Sequence, residues 1–215
     1  MDINIQKKLD SFFNKYKIQK YKKGEILIRA DDEPSGVFYL KEGIVKMYAI
    51  SSNGEELTIN IYKPISLFPM SWVFNSTESH HYYEAMTSVT VWKSSKEEVL
   101  NFLQKEPSIL LDLLKRIYRG LEGYFMRMEY LMKGNAQDRV ITELLIYARR
   151  FGENQGNARE IKVKLTEKNL ASQSGIARET VSREVQKLKK MGLLTFQKST
   201  FIINDLQKLE AELLN

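Results

Sequence analysis

Leu165–Leu194, LTEKNLASQSGIARETVSREVQKLKKMGLL, reads as two short helices around a tight turn. Thr166 is placed to cap the first helix, with Leu170 and Ala171 as its inward residues. Gly175 falls where the chain must turn sharply, a position that favours a residue free to adopt positive φ. The second helix is expected over Ala177–Met191, with Val181, Val185 and Leu188 at i, i+4 and i+7 as its buried stripe. Arg178, Glu179, Ser182, Arg183 and Gln186 are left near or on its outer face, mostly in the first two turns.

Those side chains have a physical use at that spacing. An arginine can donate two hydrogen bonds to O6 and N7 of guanine, and a glutamate can accept one from the N4 amino group of cytosine. A helix that reads DNA lays its N-terminal residues against base edges in the major groove. Arg178, Glu179, Ser182 and Arg183 are therefore the candidate base readers, and Thr180, Gln186, Lys187, Lys189 and Lys198 the candidate phosphate contacts. The plain alternative is a solvated surface helix on which Glu179 and Arg183 pair at i, i+4. The charged face alone favours that alternative. The small-residue turn and the segment after the helix favour the DNA reader. Leu193–Ile203, LLTFQKSTFII, carries two apolar runs around Gln197-Lys198-Ser199, the pattern of a small antiparallel wing.

The run Ala177-Arg178-Glu179-Thr180-Val181-Ser182-Arg183 resembles the winged helix-turn-helix of the Crp–Fnr family of bacterial transcription regulators. One departure is Glu184, where the motif usually has an apolar residue, and Val185 is expected to carry that packing instead. In layout the resemblance extends over nearly the whole chain. It implies an α+β protein: a β-roll sensor with an N-terminal helix over 1–106, a dimerisation helix over 107–133, and a winged helix-turn-helix over 134–215. It also implies a homodimer that reads an inverted repeat in double-stranded DNA, a half-site containing TGA, and RNA polymerase as a further partner.

Charge and composition agree with that expectation. Net charge is +6, and Arg159–Lys198 alone holds ten Lys/Arg against four Asp/Glu, a basic segment coincident with the helix-turn-helix. There is no cysteine, hence no disulfide, thiolate zinc site or cysteine-bound iron–sulfur cluster. No apolar run approaches the ~20 residues of a membrane span, and MDINIQKKLD lacks a signal-peptide core. A cytoplasmic protein without a membrane partner is expected. Residues 1–20 read as an amphipathic helix with Ile5, Leu9, Phe12, Phe13 and Tyr16 on one side and its lysines solvated. From Tyr21 to Ser95 the period changes to two: GEILIRA, GVFYLKEG, GIVKMYAIS and EELTINIY are short strands, and Ser52-Asn53-Gly54 is a hairpin signal.

The sensor is where the chain departs from the cyclic-nucleotide pattern of the resembling family. Pro69-Met70-Ser71 replaces its Gly-Glu-Leu turn, and Ser79-His80-His81 falls where its phosphate-binding arginine segment belongs. Without that bidentate partner a cyclic phosphate such as cyclic AMP is disfavoured. Met70, Trp72, His80, Tyr82 and Tyr83 are the candidate effector-pocket residues, suited to an unknown small organic effector or to a filled, ligand-free core. No cofactor is expected, although a haem-based gas sensor of the same family stays as the alternative. His80 and His81 are the only histidines, and neighbours on a strand point to opposite faces, so no metal site is expected. A cupin-type metal-dependent enzyme, the reading from a different class, fits poorly for that reason, and the chain is read as a non-enzyme. An adaptor that uses the wing and helix for protein contacts is the third reading.

Pro107 opens the next helix. Leu110, Leu114, Ile117, Leu121, Tyr124, Met128 and Leu131 alternate spacings of 4 and 3, the a/d repeat of a two-stranded coiled coil. A helix packed only on its own sensor would also be apolar, and the flanking Leu111, Leu113, Phe125 and Met132 suit a helix that does both. Lys133-Gly134-Asn135 reads as a hinge before a helix over 136–151, GENQGNARE as a polar loop, and IKVKL as a short strand. A terminal helix over Asp205–Leu214, with Leu206, Leu209 and Leu213 inward, completes the chain.

Overall fold

The computed structural model describes residues 3–197 and 200–214, and the chain divides into two compact units, 1–117 and 118–215. In the first, α1 (Ile3–Phe13) buries Ile5, Leu9 and Phe13. It is shorter than the helix expected over 1–20. Ile18–Tyr21, IQKY, alternates exposed and half-buried side chains and forms β1, paired with β8 (Val89–Ser94) from Ile18 opposite Trp92 to Tyr21 opposite Val89. The ladder gives the backbone groups of Ile18–Tyr21, which lie beyond the helix, their partners.

The remaining strands are β2 (Ile26–Ile28), β3 (Val37–Glu42), β4 (Val45–Ile50), β5 (Glu56–Tyr62), β6 (Leu67–Phe68) and β7 (Tyr82–Ala85). They build two antiparallel sheets, ordered β1-β8-β3-β6 and β2-β7-β4-β5. Ser52-Asn53-Gly54 lies in the β4–β5 turn, with Gly54 at φ 80°. Gly43, at φ 90° between β3 and β4, admits no side chain, because a Cβ there would lie 2.3 Å from the Ser88 carbonyl oxygen. Inward residues of both sheets, among them Ile28, Phe38, Leu40, Val45, Phe68, Tyr83 and Val91, form one core. The outer face of the first sheet (Val37, Tyr39, Trp92) forms a second core with α1 and the helices after β8.

Two helices of this unit go beyond the sequence expectations. α2 (Met70–Asn75) interrupts the strands after Pro69. α3 (Lys96–Lys105) begins at Ser95, whose side chain accepts from the Glu98 amide, and buries Val99 and Leu103. Its Ser-x-x-Glu start is the sequence signature of a helix N-terminus.

The division between the units falls inside α4 (Pro107–Lys133). Asn135 then caps α5 (Ala136–Phe151) in a reciprocal capping box with Asp138, and every residue of α5 from Val140 to Ala148 is buried. The stretch expected to be a loop is instead a hairpin, β9 (Gly152–Gln155) and β10 (Ala158–Ile161), turning at Gly156 with φ 62°. Its strand is therefore AREI rather than IKVKL. The polar residues that read as loop belong to a sheet edge, where one side meets solvent.

α6 (Glu167–Ser174) starts at Thr166, in a capping box with Asn169, and ends at Gly175 in the left-handed conformation, φ 64°. α7 (Arg178–Lys190) buries Val181, Val185 and Leu188 completely. A fully buried aliphatic side chain stabilises by ~1.5–3 kcal/mol relative to an exposed one, so these three anchor the helix. β11 (Leu194–Gln197) and β12 (Thr200–Ile203) form the wing, which β10 and β9 extend into the four-stranded order β11-β12-β10-β9. α8 (Leu206–Ala211) buries Leu209 and half-buries Leu206; Leu213, also half-buried, lies in the 3-10 turn Glu212–Leu214 that follows.

Candidate nucleic-acid interface

α7 presents one face. Arg178, Glu179, Arg183, Gln186, Lys187 and Lys190 are exposed, and Thr180, Ser182 and Lys189 are half-buried. Ser182, Arg183, Gln186, Lys187 and Lys190 line a shallow open depression along the helix, so the structure adds Lys190 to the residues singled out by sequence. Arg183 Nη2 donates to Thr180 Oγ1 at 3.2 Å, which lays the guanidinium back along the first turn. Lys189 Nζ stands 5.3 Å from the centre of the Phe196 ring on the wing. Phe196 is exposed and its ring packs at an angle against the buried Phe201 opposite it. Lys198 lies outside the described residues.

Glu184 does not sit as its polarity leads one to expect. It joins the inward stripe beside Val185, its side chain only 9% exposed, and both carboxylate oxygens accept from Lys187 Nζ at 2.9 Å.

Behind α7 lies a second buried polar set. Arg127 of α4 donates through Nε and Nη2 to both oxygens of Glu143 on α5, at 2.5 and 2.8 Å. Gln173 Nε2 of α6 donates to the Tyr147 hydroxyl at 2.9 Å. Burial raises the pKa of the Tyr147 phenol well above its ordinary value. These groups tie α4, α5 and α6 together, and periodicity gives no sign of them because burial of single polar residues leaves no periodic trace.

On α4, the candidate seam divides by exposure. Leu110, Leu114, Ile117, Met128 and Leu131 are exposed, and Leu121 and Tyr124 half-buried. Ile109 and Leu113 are instead buried within the first unit's core. Of the flanking residues, Leu111, Phe125 and Met132 are exposed.

The candidate effector residues are not brought together. Met70 and Trp72 pack against the core outside the first sheet, with Lys96 Nζ 5.0 Å from the Trp72 ring. His80 is exposed, its Nδ1 2.7 Å from Asp31 Oδ1, and that hydrogen bond raises its pKa. His81 is half-buried, with burial lowering its pKa. Tyr82 stacks on Tyr48 at 5.3 Å. Of the five, only Tyr83 lies between the sheets, stacked on Phe68 at 5.4 Å and Tyr62 at 5.8 Å. Phe38 stacks on Phe68 at 5.6 Å. Among the described residues no three His, Asp or Glu side chains group as a metal site, and no helix is long and apolar enough to cross a membrane.

Comparison with known proteins agrees with this architecture. Residues 18–106 match the cyclic nucleotide-binding domain, and 138–212 the Crp-like helix-turn-helix domain. The HTH-type transcriptional regulator ArcR of Staphylococcus haemolyticus is 27% identical over 84% of this chain and 79% of its own. The transcriptional activator protein anr of Pseudomonas aeruginosa is 25% identical over 86% of this chain and 76% of its own. Among solved structures, a CooA mutant from Carboxydothermus hydrogenoformans superposes with a TM-score of 0.78 at 24% identity, covering 94% of this chain and 89% of that one. With a cyclic-nucleotide-binding-type domain ahead of a Crp-like helix-turn-helix, the chain belongs to the Crp–Fnr family and is a DNA-binding transcription regulator.

Proposed function

We propose that the protein works as a homodimer that reads an inverted-repeat DNA site through two copies of α7. The observation that carries this is the division of α7: a stripe of Val181, Val185 and Leu188 with no exposure, and an opposite face of exposed Arg178, Glu179, Arg183, Gln186, Lys187 and Lys190. Arg183 reads a guanine and Glu179 the amino group of a cytosine, with Arg178 and Ser182 beside them at base or phosphate. Thr180, Gln186 and Lys189 hold phosphates, whereas Lys187, expected from the sequence to do the same, is engaged by the Glu184 carboxylate. The exposed apolar side chains of α4 are the seam between protomers, which sets the half-sites about one helical turn, roughly 34 Å, apart. The interior of the roll is occupied by stacked aromatic rings. That packing favours a sensor that does not clamp a cyclic phosphate.

Selection from a random duplex pool tests the reading. The expected product is an inverted repeat whose half-site contains TGA. Arg183→Ala is expected to cost about 1–3 kcal/mol per half-site on that sequence and to relax preference at one base pair. Lys189→Ala is expected to weaken all duplexes alike and to flatten the salt dependence. Equal losses on cognate and scrambled duplexes for Arg183→Ala would demote that residue to a phosphate clamp.

A further inference from the structure

The carboxylate of Glu184 lies within the apolar stripe of α7, its side chain 9% exposed, and both oxygens engage Lys187 at 2.9 Å. Lys187 is itself 59% exposed and lines the depression with Ser182, Arg183, Gln186 and Lys190. A DNA phosphate reaching this face must therefore compete with a fixed anion already on the ammonium. We propose that Glu184 attenuates DNA binding: it keeps Lys187 neutralised, lowers affinity that does not depend on sequence, and leaves discrimination to the first two turns of the helix. The burial of Glu184 makes the effect persistent. A solvated glutamate would swing away, whereas this one is buried on the side of the helix that also buries Val181, Val185 and Leu188.

The inference rests on the reading of α7 as the DNA-binding helix, and its test separates the two. Full-length protein is titrated with the selected duplex and a scrambled one across a salt series. Glu184→Gln keeps the shape and removes the charge, so Lys187 becomes free to displace a counterion. Each phosphate contact steepens log K against log salt by ~0.9, or about 1.8 for two protomers. Between 50 and 200 mM salt the variant is then expected to lose roughly tenfold more affinity than the unmodified protein, and at low salt to bind both duplexes more tightly. Lys187→Gln alone is expected to leave the slope near that of the unmodified protein, and the double variant to return to it. Glu184→Val, which removes the charge and suits the apolar stripe, serves if Glu184→Gln lowers the melting temperature. An unchanged slope in both Glu184 variants overturns the proposal, as does a flattened slope for Lys187→Gln alone. Failure of the unmodified protein to bind any duplex at low salt overturns the reading of α7 itself.

Discussion

Replacing Arg127 by Ala isolates the Glu143 carboxylate inside the DNA-binding unit. Glu143 is 1% exposed and Arg127 16%, and the pair is joined by two donor–acceptor contacts at 2.5 and 2.8 Å. Hydrogen bonds to charged groups contribute ~1.5–3 kcal/mol each. Removing one partner of a buried pair costs about 3–5 kcal/mol, because the other charge is left uncompensated. For a unit of this size a loss of ~3 kcal/mol lowers the melting temperature by about 12–24 °C. It would remove roughly a fifth to three fifths of a net stability of ~5–15 kcal/mol. Replacing both partners with apolar residues of similar volume, Arg127→Met with Glu143→Leu, removes the charge and its desolvation together and is expected to be near neutral. Urea unfolding followed by far-UV circular dichroism measures both variants. Fluorescence from Trp72 and Trp92, both in the first unit, is the internal control. A loss below about 1 kcal/mol for Arg127→Ala, or a double variant as weak as the single one, would refute the argument that charge burial dominates here.

Further outcomes are expected at the seam, the sensor and the buried phenols. Leu121→Glu with Met128→Glu puts charge into the proposed seam and is expected to yield a monomer by light scattering at micromolar concentration; a persistent dimer would move the interface elsewhere. Micromolar cyclic AMP is expected to leave the melting temperature unchanged, because only a ligand that binds the folded state raises it, and a saturable rise would overturn the unclamped sensor. Burial raises the phenols of Tyr39 and Tyr147 above their ordinary value and that of Tyr48 to about 12. A phenol whose folded pKa lies above its unfolded one contributes stability that is present below the unfolded pKa and lost as pH rises through the folded one. Stability governed by these tyrosines should be level below pH ~10 and fall above it, with tyrosinate absorbance at 295 nm tracking unfolding. Tyrosinate formation by all three in the folded protein would contradict their burial.

The helix-turn-helix is legible in the sequence because several local signals agree there. Thr166 caps, Gly175 turns with positive φ, and Val181, Val185 and Leu188 keep one period, so each local preference points to the same packing. The β9–β10 hairpin is not legible, because its residues are mostly polar and only Gly156 marks the turn. The end of α1 is hidden for the opposite reason: apolar residues continue through Tyr16 into Ile18–Tyr21, and periodicity alone does not separate a helix from the strand after it. Glu184 looks by its polarity like an outlier to the buried stripe. Helical geometry brings it onto the same face as Val181, three residues earlier, whatever its polarity.

In the sensor the five candidate effector residues do not converge on one place. Met70, Trp72, His80, Tyr82 and Tyr83 all fall between positions 70 and 83, yet α2 and β7 send them in different directions. On β7 the alternation of a strand decides the outcome: Tyr83 enters the core between the sheets, while Tyr82 and Glu84, one residue either side, take the opposite face. On that face Lys46 pairs with both Glu56 and Glu84, at 2.8 and 3.1 Å, and stands 4.3 Å from the Tyr48 ring. The charges thus gather outside the core, while Phe38, Phe68, Tyr62 and Tyr83 fill the space between the sheets. An anionic ligand entering there would lose its hydration among these rings; the ammonium of Lys93, 6.0 Å from the centre of the Phe38 ring, already donates to Ser35, and burial of charge without a full partner is costly. Any group entering between the sheets would displace Tyr62, Phe68 or Tyr83, rings that apolar or aromatic surface replaces at least cost.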